Sequence, residues 1–439
     1  MQRVLTFEQT PSLSVPLRFF LTAPAFAILA SLLLLWSGPD MLVSRWTPET
    51  LAFTHLLTLG FLTMCMLGAL LQILPVVAGI EIPRAGSTAT AIHTLLATGT
   101  LTLAAAFLTS AAVLFKLALL LLVSAFAWLL IALVKRVWSA DHGGPMLTAI
   151  RLALSSLAVT VTLGGAAASG FAWPLALPML LLTDLHAAWG LLGWVGLLVV
   201  GIAYQVVPMF QVTPLYPGWM MRRLAWSVAL LLAVWTMASI ASPGGKTALL
   251  VSALLAAAYA AFSLATFALL RQRKRPKPDP TTLFWRTSLA SLLACVLLWT
   301  WAAFHPAVAN HPAYPLLTGA LFLVGFAYSV INGMLYKIVP FLVWYHLQNR
   351  LEGGCAKAPN VRQILPDAPA ERQFRVHLAA LLLLVAATLL PRWFAHVAAL
   401  AFAVSSTWLW WNLASAARLY RSMTADASAL RAVPAQRPS

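Results

Sequence analysis

One stretch occurs three times in this chain, and it restricts the fold more than any other feature. It reads Gly, seven residues, Gly, three residues, Gln or Lys, two residues, Pro. The copies are Gly60, Gly68, Gln72, Pro75; Gly193, Gly201, Gln205, Pro208; and Gly325, Gly333, Lys337, Pro340. Their prolines lie 133 and 132 residues apart. The positions between are mostly Leu, Val, Ala, Ile, Met and aromatics. Each copy therefore reads as an apolar helix with small residues on its packing surface and a proline near its end. Glycine is frequent in membrane helices, so a single Gly-x7-Gly says little. Four matched landmarks at one period predict an internal triplication.

The class follows from what such a chain has to cover its surface with. Of 439 residues, 61% are hydrophobic and 9% charged, too little charge for a soluble protein of this size. Several apolar runs reach the roughly 20 residues that cross a bilayer. The net charge of +17 belongs with cytoplasmic loops rather than with nucleic acid. Cys65, Cys295 and Cys355 have no close spacing, so no disulfide or thiolate metal framework is expected. Arg3, Glu8 and Pro11 precede the first apolar run without a cleavage-like site, so no signal peptide is expected.

The reading is an all-α membrane protein of about twelve transmembrane helices, a single polytopic domain over 1–439. The first helix is expected over about Leu17 to Trp36. The repeats fall on the second, sixth and tenth helices: about Leu51 to Val77, Met179 to Phe210, and Leu316 to Tyr345. The unit is then four helices, over about 17–135, 146–270 and 283–420, in three quasi-equivalent arcs. Thr109 and Ser110 make a tight hairpin between the third and fourth helices. Arg84, Lys135, Arg136, Arg222, Arg223 and the run Arg271, Arg273, Lys274, Arg275, Lys277 fall in even-numbered loops. The positive-inside rule then puts both termini in the cytoplasm of a bacterial-type inner membrane. The cytoplasmic loop 348–373, with Gly353, Gly354, Pro366 and Pro369, reads as irregular. The tail after Tyr420 reads as short, basic and mobile.

Ionisable groups inside a membrane are costly, which makes them functional candidates. His55 lies 20 residues before the first repeat proline and His186 lies 22 before the second. The two occupy nearly one depth on related helices and can hold a haem or a copper ion between them. The plainer alternative is that each donates a hydrogen bond to a carbonyl and stiffens packing. Asp184 can orient a ligand on another helix, accept protons, or serve as an interfacial cap. Lys337, which replaces the glutamine of the other copies, can snorkel to the inner surface or belong to a proton path. His93 and His377 read as solvated interfacial histidines. His305, His311 and His396 fall at the outer surface, and His142 and His346 at cytoplasmic ends. No hydrolase motif is present.

Twelve helices in three arcs of four resemble the catalytic subunit of haem-copper oxidases and nitric oxide reductases. The segment from His55 to Val76 resembles that family's second helix, where an outer histidine binds the low-spin haem. The nitric oxide reductase branch looks similar. The resemblance implies haem, type b, or copper as cofactor and quinol or a cytochrome as electron donor. It also implies oxidoreductase chemistry linked to quinol or nitric oxide. It covers helix count, topology and the three repeated helices. The family's tenth helix carries His-x-His; aligned on Gly325, those positions are Thr318 and Ala320. The family's seventh helix carries copper-binding histidines, and here that helix, from Leu224, has none. The usual binuclear centre is therefore not expected, and a cofactor between the second and sixth helices is. Two other readings remain open at this point: a transporter using the spaces between arcs, and a non-catalytic assembly subunit with a partner subunit.

Overall fold

The computed structural model describes residues 10–140, 144–275, 277–351 and 358–432, with side chains to 425. Among them there is no strand, and twelve helices are long and apolar enough to cross a membrane. In chain order these are α1 (Ser14–Val43), α2 (Pro48–Ala78), α3 (Ala85–Thr109), α4 (Ala112–Ser139), α5 (Pro145–Ala172) and α6 (Met179–Gln211). Then follow α7 (Gly218–Ala241), α8 (Lys246–Arg271), α9 (Pro280–Phe304), α10 (Ala313–Leu351), α11 (Asp367–Leu389) and α12 (Pro391–Ala425). All twelve expected helices are present. His142, Gly353, Gly354, Cys355, Arg3 and Glu8 lie outside the described residues.

The chain goes round in sequence order and closes. Each helix packs on the next in most cases, α5 also packs on α7, and α12 packs on α1. Among these contacts α4 packs on α5 and α8 on α9. The repeated helices α2, α6 and α10 are the most buried of the set, at 78%, 72% and 56% of their spanning windows. Most of the large side chains that stay exposed, such as Leu120, Ile131, Leu230 and Leu297, sit on the outer helices. In a bilayer that exposure meets lipid and costs nothing.

The repeated glycines are sites of close approach to the preceding helix. A Cβ on Gly60 would collide with Phe26, and one on Gly68 would stand 2.8 Å from Phe19, both on α1. Gly193 and Gly201 meet Ser156 and Ala149 of α5 at 2.7 and 2.6 Å in the same way. Gly325 and Gly333 meet Ser291 and Phe284 of α9 at 2.6 and 2.5 Å. Small residues let membrane helices approach this closely. The partner positions are seven apart on each of α1, α5 and α9, while the glycines are eight apart.

The odd residue is absorbed by a π-helical segment in each repeated helix: Leu56–Thr63, Trp189–Gly196 and Ala320–Tyr328. A π turn takes one more residue than an α turn and frees backbone carbonyls, and such turns cluster at functional sites. Neighbouring hydroxyls satisfy several of these carbonyls. Tyr259 of α8 donates to Leu192 O, Ser288 of α9 donates to Phe326 O at 2.9 Å, and Ser329 donates to Val324 O at 3.0 Å.

Three expectations are corrected. The third repeat proline lies well inside its helix: α10 continues past Pro340 to Leu351, eleven residues on, whereas Pro75 and Pro208 stand three residues before the ends of α2 and α6, as expected. The carbonyl a proline leaves without a donor is tolerable where neighbouring helices can cover it. The segment 348–373 is largely helical where described, with a capped turn at Val361–Ile364 and α11 already begun at Asp367. The tail after Tyr420 continues the last helix as far as Ala432.

Candidate cofactor site

His55 ends the first α turn-set of α2, just before its π segment, and His186 lies three residues before that of α6. Their imidazoles come together, with ring centroids 6.2 Å apart and planes 19° from parallel. His55 Nδ1 lies 2.8 Å from Leu51 O, and His186 Nδ1 lies 3.0 Å from Thr160 O on α5. A carbonyl only accepts, so each Nδ1 carries the proton and donates it. That fixes the tautomer and leaves each Nε2 with a free lone pair, the arrangement that orients a histidine as a ligand. The alternative reading, a hydrogen bond to a carbonyl, is thus also realised, through the other ring nitrogen.

Both rings line a cavity of about 590 Å³ between α2, α4, α5 and α6 that reaches α10 and α11. That is within the roughly 300–1,000 Å³ usual for small-molecule and cofactor sites. Its walls are apolar, with Leu119, Leu122, Phe126, Val161 and Phe322 among them. Gly164 on α5 makes room for the His186 ring: a Cβ there would lie 2.6 Å from His186 Cε1. Phe107 packs 5.3 Å from the His55 ring and is held edge-on against Phe115 and Phe171.

Arg45, from the segment joining α1 to α2, is the one formally charged residue on the lining among the described residues. Asp184 accepts from it at 2.8 Å. Asp184 sits in the second turn of α6, so it neither caps that helix nor reaches a histidine; it positions Arg45. Sequence reasoning missed Arg45 because it lies in a loop with no periodicity. It missed Gly164 because nothing local shows that α5 faces His186.

The other candidates fall elsewhere. Lys337 pairs with Asp279, the N-cap of α9, at 2.9 Å, so it neither snorkels freely nor approaches the histidine pair. Asp279 also accepts from Thr282 N and Thr282 Oγ1 at 2.9 Å each, and Thr282 Oγ1 lies 2.6 Å from Gln211 Oε1 at the end of α6. His377 is not a solvated interfacial residue: it is fully buried, with Nε2 2.7 Å from Ser329 Oγ and its ring against Tyr328 and Phe284. Burial follows because Ser329 and Tyr328 of α10 and Phe284 of α9 enclose the ring. His93 is partly exposed, with Nε2 2.9 Å from Thr22 Oγ1. His396 packs on Leu35 O and Gly38. Thr318 and Ala320 border the cavity without offering a ring nitrogen. Among the described residues no group of three or more His, Cys, Asp or Glu could hold a metal ion.

Fold and composition together define a polytopic α-helical membrane protein. No family model matches the chain, and no curated protein matches it.

Proposed function

We propose that this is a haem-binding redox protein of the membrane, divergent from the haem-copper oxidase and nitric oxide reductase catalytic subunit, in which His55 and His186 would hold the group. The observation that carries this is that the two rings stand 6.2 Å apart on the wall of one apolar cavity, each Nδ1 committed to a carbonyl and each Nε2 free to hold the group.

The donor set favours haem over a bare ion. Two neutral imidazoles leave a tetrahedral zinc or copper site half made, whereas a macrocycle supplies the remaining ligands itself. The apolar cavity and the lone cation Arg45 suit a body that is apolar except for its carboxylates. Bound there, the group would supply one-electron transfer. The chain's own part is to hold both Nε2 atoms unprotonated through the carbonyls of Leu51 and Thr160, to keep water out with aliphatic walls, and to present Arg45 through Asp184. The absence of further histidines around the pair favours electron transfer with quinol, a cytochrome or a small gas over oxygen reduction at a binuclear centre. The distribution of Lys and Arg supports a bacterial-type inner membrane with both termini cytoplasmic.

The test is an absorption spectrum of the purified protein, oxidised and then reduced with dithionite, with metal analysis, for wild type, His55→Ala and His186→Ala. Sharp reduced bands lost in either variant are the expected result. Copper without haem bands would replace haem by a two-coordinate copper site. A colourless, metal-free protein would end the redox reading and leave transport or assembly.

A further inference from the structure

The helix α7 carries two faces of opposite kind. Met220, Leu224, Ala225 and Val228 are buried against the bundle, and Tyr204 of α6 donates to Met220 O at 3.2 Å. Those contacts seat the start of the helix. The other face is exposed and reads Trp219, Arg222, Arg223, Trp226, then Leu230 and Val234. At roughly 100° per residue these six fall in one stripe about 120° wide. Two arginines thus stand between two tryptophans, with an apolar continuation below them.

Neither arginine has a partner inside the protein. Among the described residues, Arg222 and Arg223 make no hydrogen bond and no ion pair. The Arg222 guanidinium turns back toward the start of the helix, where a Cβ on Gly218 would lie 3.2 Å from its Nη1. The surroundings add positive charge. Lys274 N donates to Val212 O at 3.0 Å, which brings the basic run after α8 beside the segment that leads into α7. In that run Arg273 and Arg275 are engaged with Thr282 and Asp279, while Arg271, Lys274 and Lys277 stay exposed. Asp279 is the only acidic residue between His186 and Leu351, and Lys337 already holds it.

The stripe therefore calls for an anion that the chain does not supply. Guanidinium forks match the oxygens of a phosphate. Tryptophan settles at the headgroup level of a bilayer, and here it flanks the arginines on both sides. Leu230 lies about 10 Å beyond Arg223 along the helix axis, within the roughly 15 Å of hydrocarbon in one leaflet. An acidic protein segment would satisfy the arginines and leave the apolar continuation uncovered. An amphiphile with an anionic head and a hydrocarbon tail satisfies both.

We propose that this stripe of α7 is a binding site for one anionic phospholipid, its phosphate held by Arg222 and Arg223, its glycerol region between Trp219 and Trp226, and an acyl chain along Leu230 and Val234. A zwitterionic lipid carries a cation of its own beside the phosphate, and the exposed Arg271, Lys274 and Lys277 disfavour it. The site rests on α7 and needs no cofactor, so its failure and the failure of the redox reading are separable.

The test is native mass spectrometry of the delipidated full chain in detergent, titrated with phosphatidylglycerol or with phosphatidylcholine of the same acyl chains. One phosphatidylglycerol is expected to stay bound at concentrations where phosphatidylcholine does not. Arg222→Gln combined with Arg223→Gln is expected to weaken that retention roughly 25-fold, at about fivefold per arginine. Should the double variant fail to fold, Arg223→Gln alone is expected to give about fivefold. Lys246→Gln, at the opposite end of α8 from Arg271, alters the net charge and should leave retention unchanged. Equal retention of the two lipids, retention unchanged in the arginine variants, or inorganic phosphate displacing the lipid at equal concentration would overturn the proposal.

Discussion

Gly164 and His186 compete for one volume, and the glycine yields it. Gly164→Ala would force a Cβ to within 2.6 Å of His186 Cε1, so the ring must turn away from its hydrogen bond to Thr160. Overpacking of this kind costs about 1–3 kcal/mol. The expected result is a lower melting temperature of the purified protein and, if haem is bound, loss of the low-spin bis-histidine spectrum while Gly165→Ala stays near wild type, since a Cβ there has only an ordinary 3.8 Å neighbour. Arg45→Ala is expected to weaken retention of a carboxylate-bearing cofactor without changing its ligation, read as faster loss of haem to an apo-acceptor. At this scale the sequence was half legible. His55 and His186 stood out because rings are rare in apolar helices and the repeat gave them one depth. Gly164, Arg45 and the burial of His377 needed knowledge of which helices face each other, which no local pattern carries.

Among elements, the twelve helices were readable because a bilayer demands long apolar runs, and Lys or Arg punctuates their ends. Their internal form was less so. A reading based on 3.6 residues per turn assumes uniform helices, yet α2, α6 and α10 each change pitch. The signal was present in the Gly-x7-Gly spacing, because eight residues bring a glycine back to the same face only if one is surplus. Pro340 looked like a terminus because proline usually ends a helix in water; within a bundle α10 continues beyond it. The π segments also give a prediction. Tyr259→Phe leaves Leu192 O without the phenol that covers it. The expected loss is about 0.6–2 kcal/mol, visible as a lower thermal midpoint in detergent, with no change in helix content by far-UV circular dichroism.

For the molecule as a whole, the end of the bundle where α6 finishes and α9 begins is tied by the cluster of Asp279, Lys337, Thr282 and Gln211, which joins α6, α9 and α10. Burial pushes the Asp279 carboxyl up, but the Lys337 ammonium and hydrogen bonds from Lys337 and Thr282 outweigh it and hold it below the usual carboxylate value. A carboxyl whose folded value is depressed adds stability above its ordinary value of 3.8. That stability fades as pH falls through the lower folded value. Thermal midpoints are therefore expected to be flat from neutral pH to the mild-acid range and to drop in stronger acid. Asp279→Asn should start lower and lose less on acidification; equal slopes for both proteins would rule this out. Ring closure of α12 on α1 was not legible either, since nothing in a linear reading says where a chain of twelve helices ends up. The surplus residue in each repeated helix has one more consequence. It acts as a screw dislocation: it sets the azimuth of the outer half independently of the inner half, at about 100° per residue. Deleting one residue between Gly60 and Gly68 would swing His55 out of its cavity by more than a quarter turn while the half of α2 that carries Gly68 stayed seated on α1. The outer storey that carries the rings and the inner storey that carries the packing can therefore be altered one at a time.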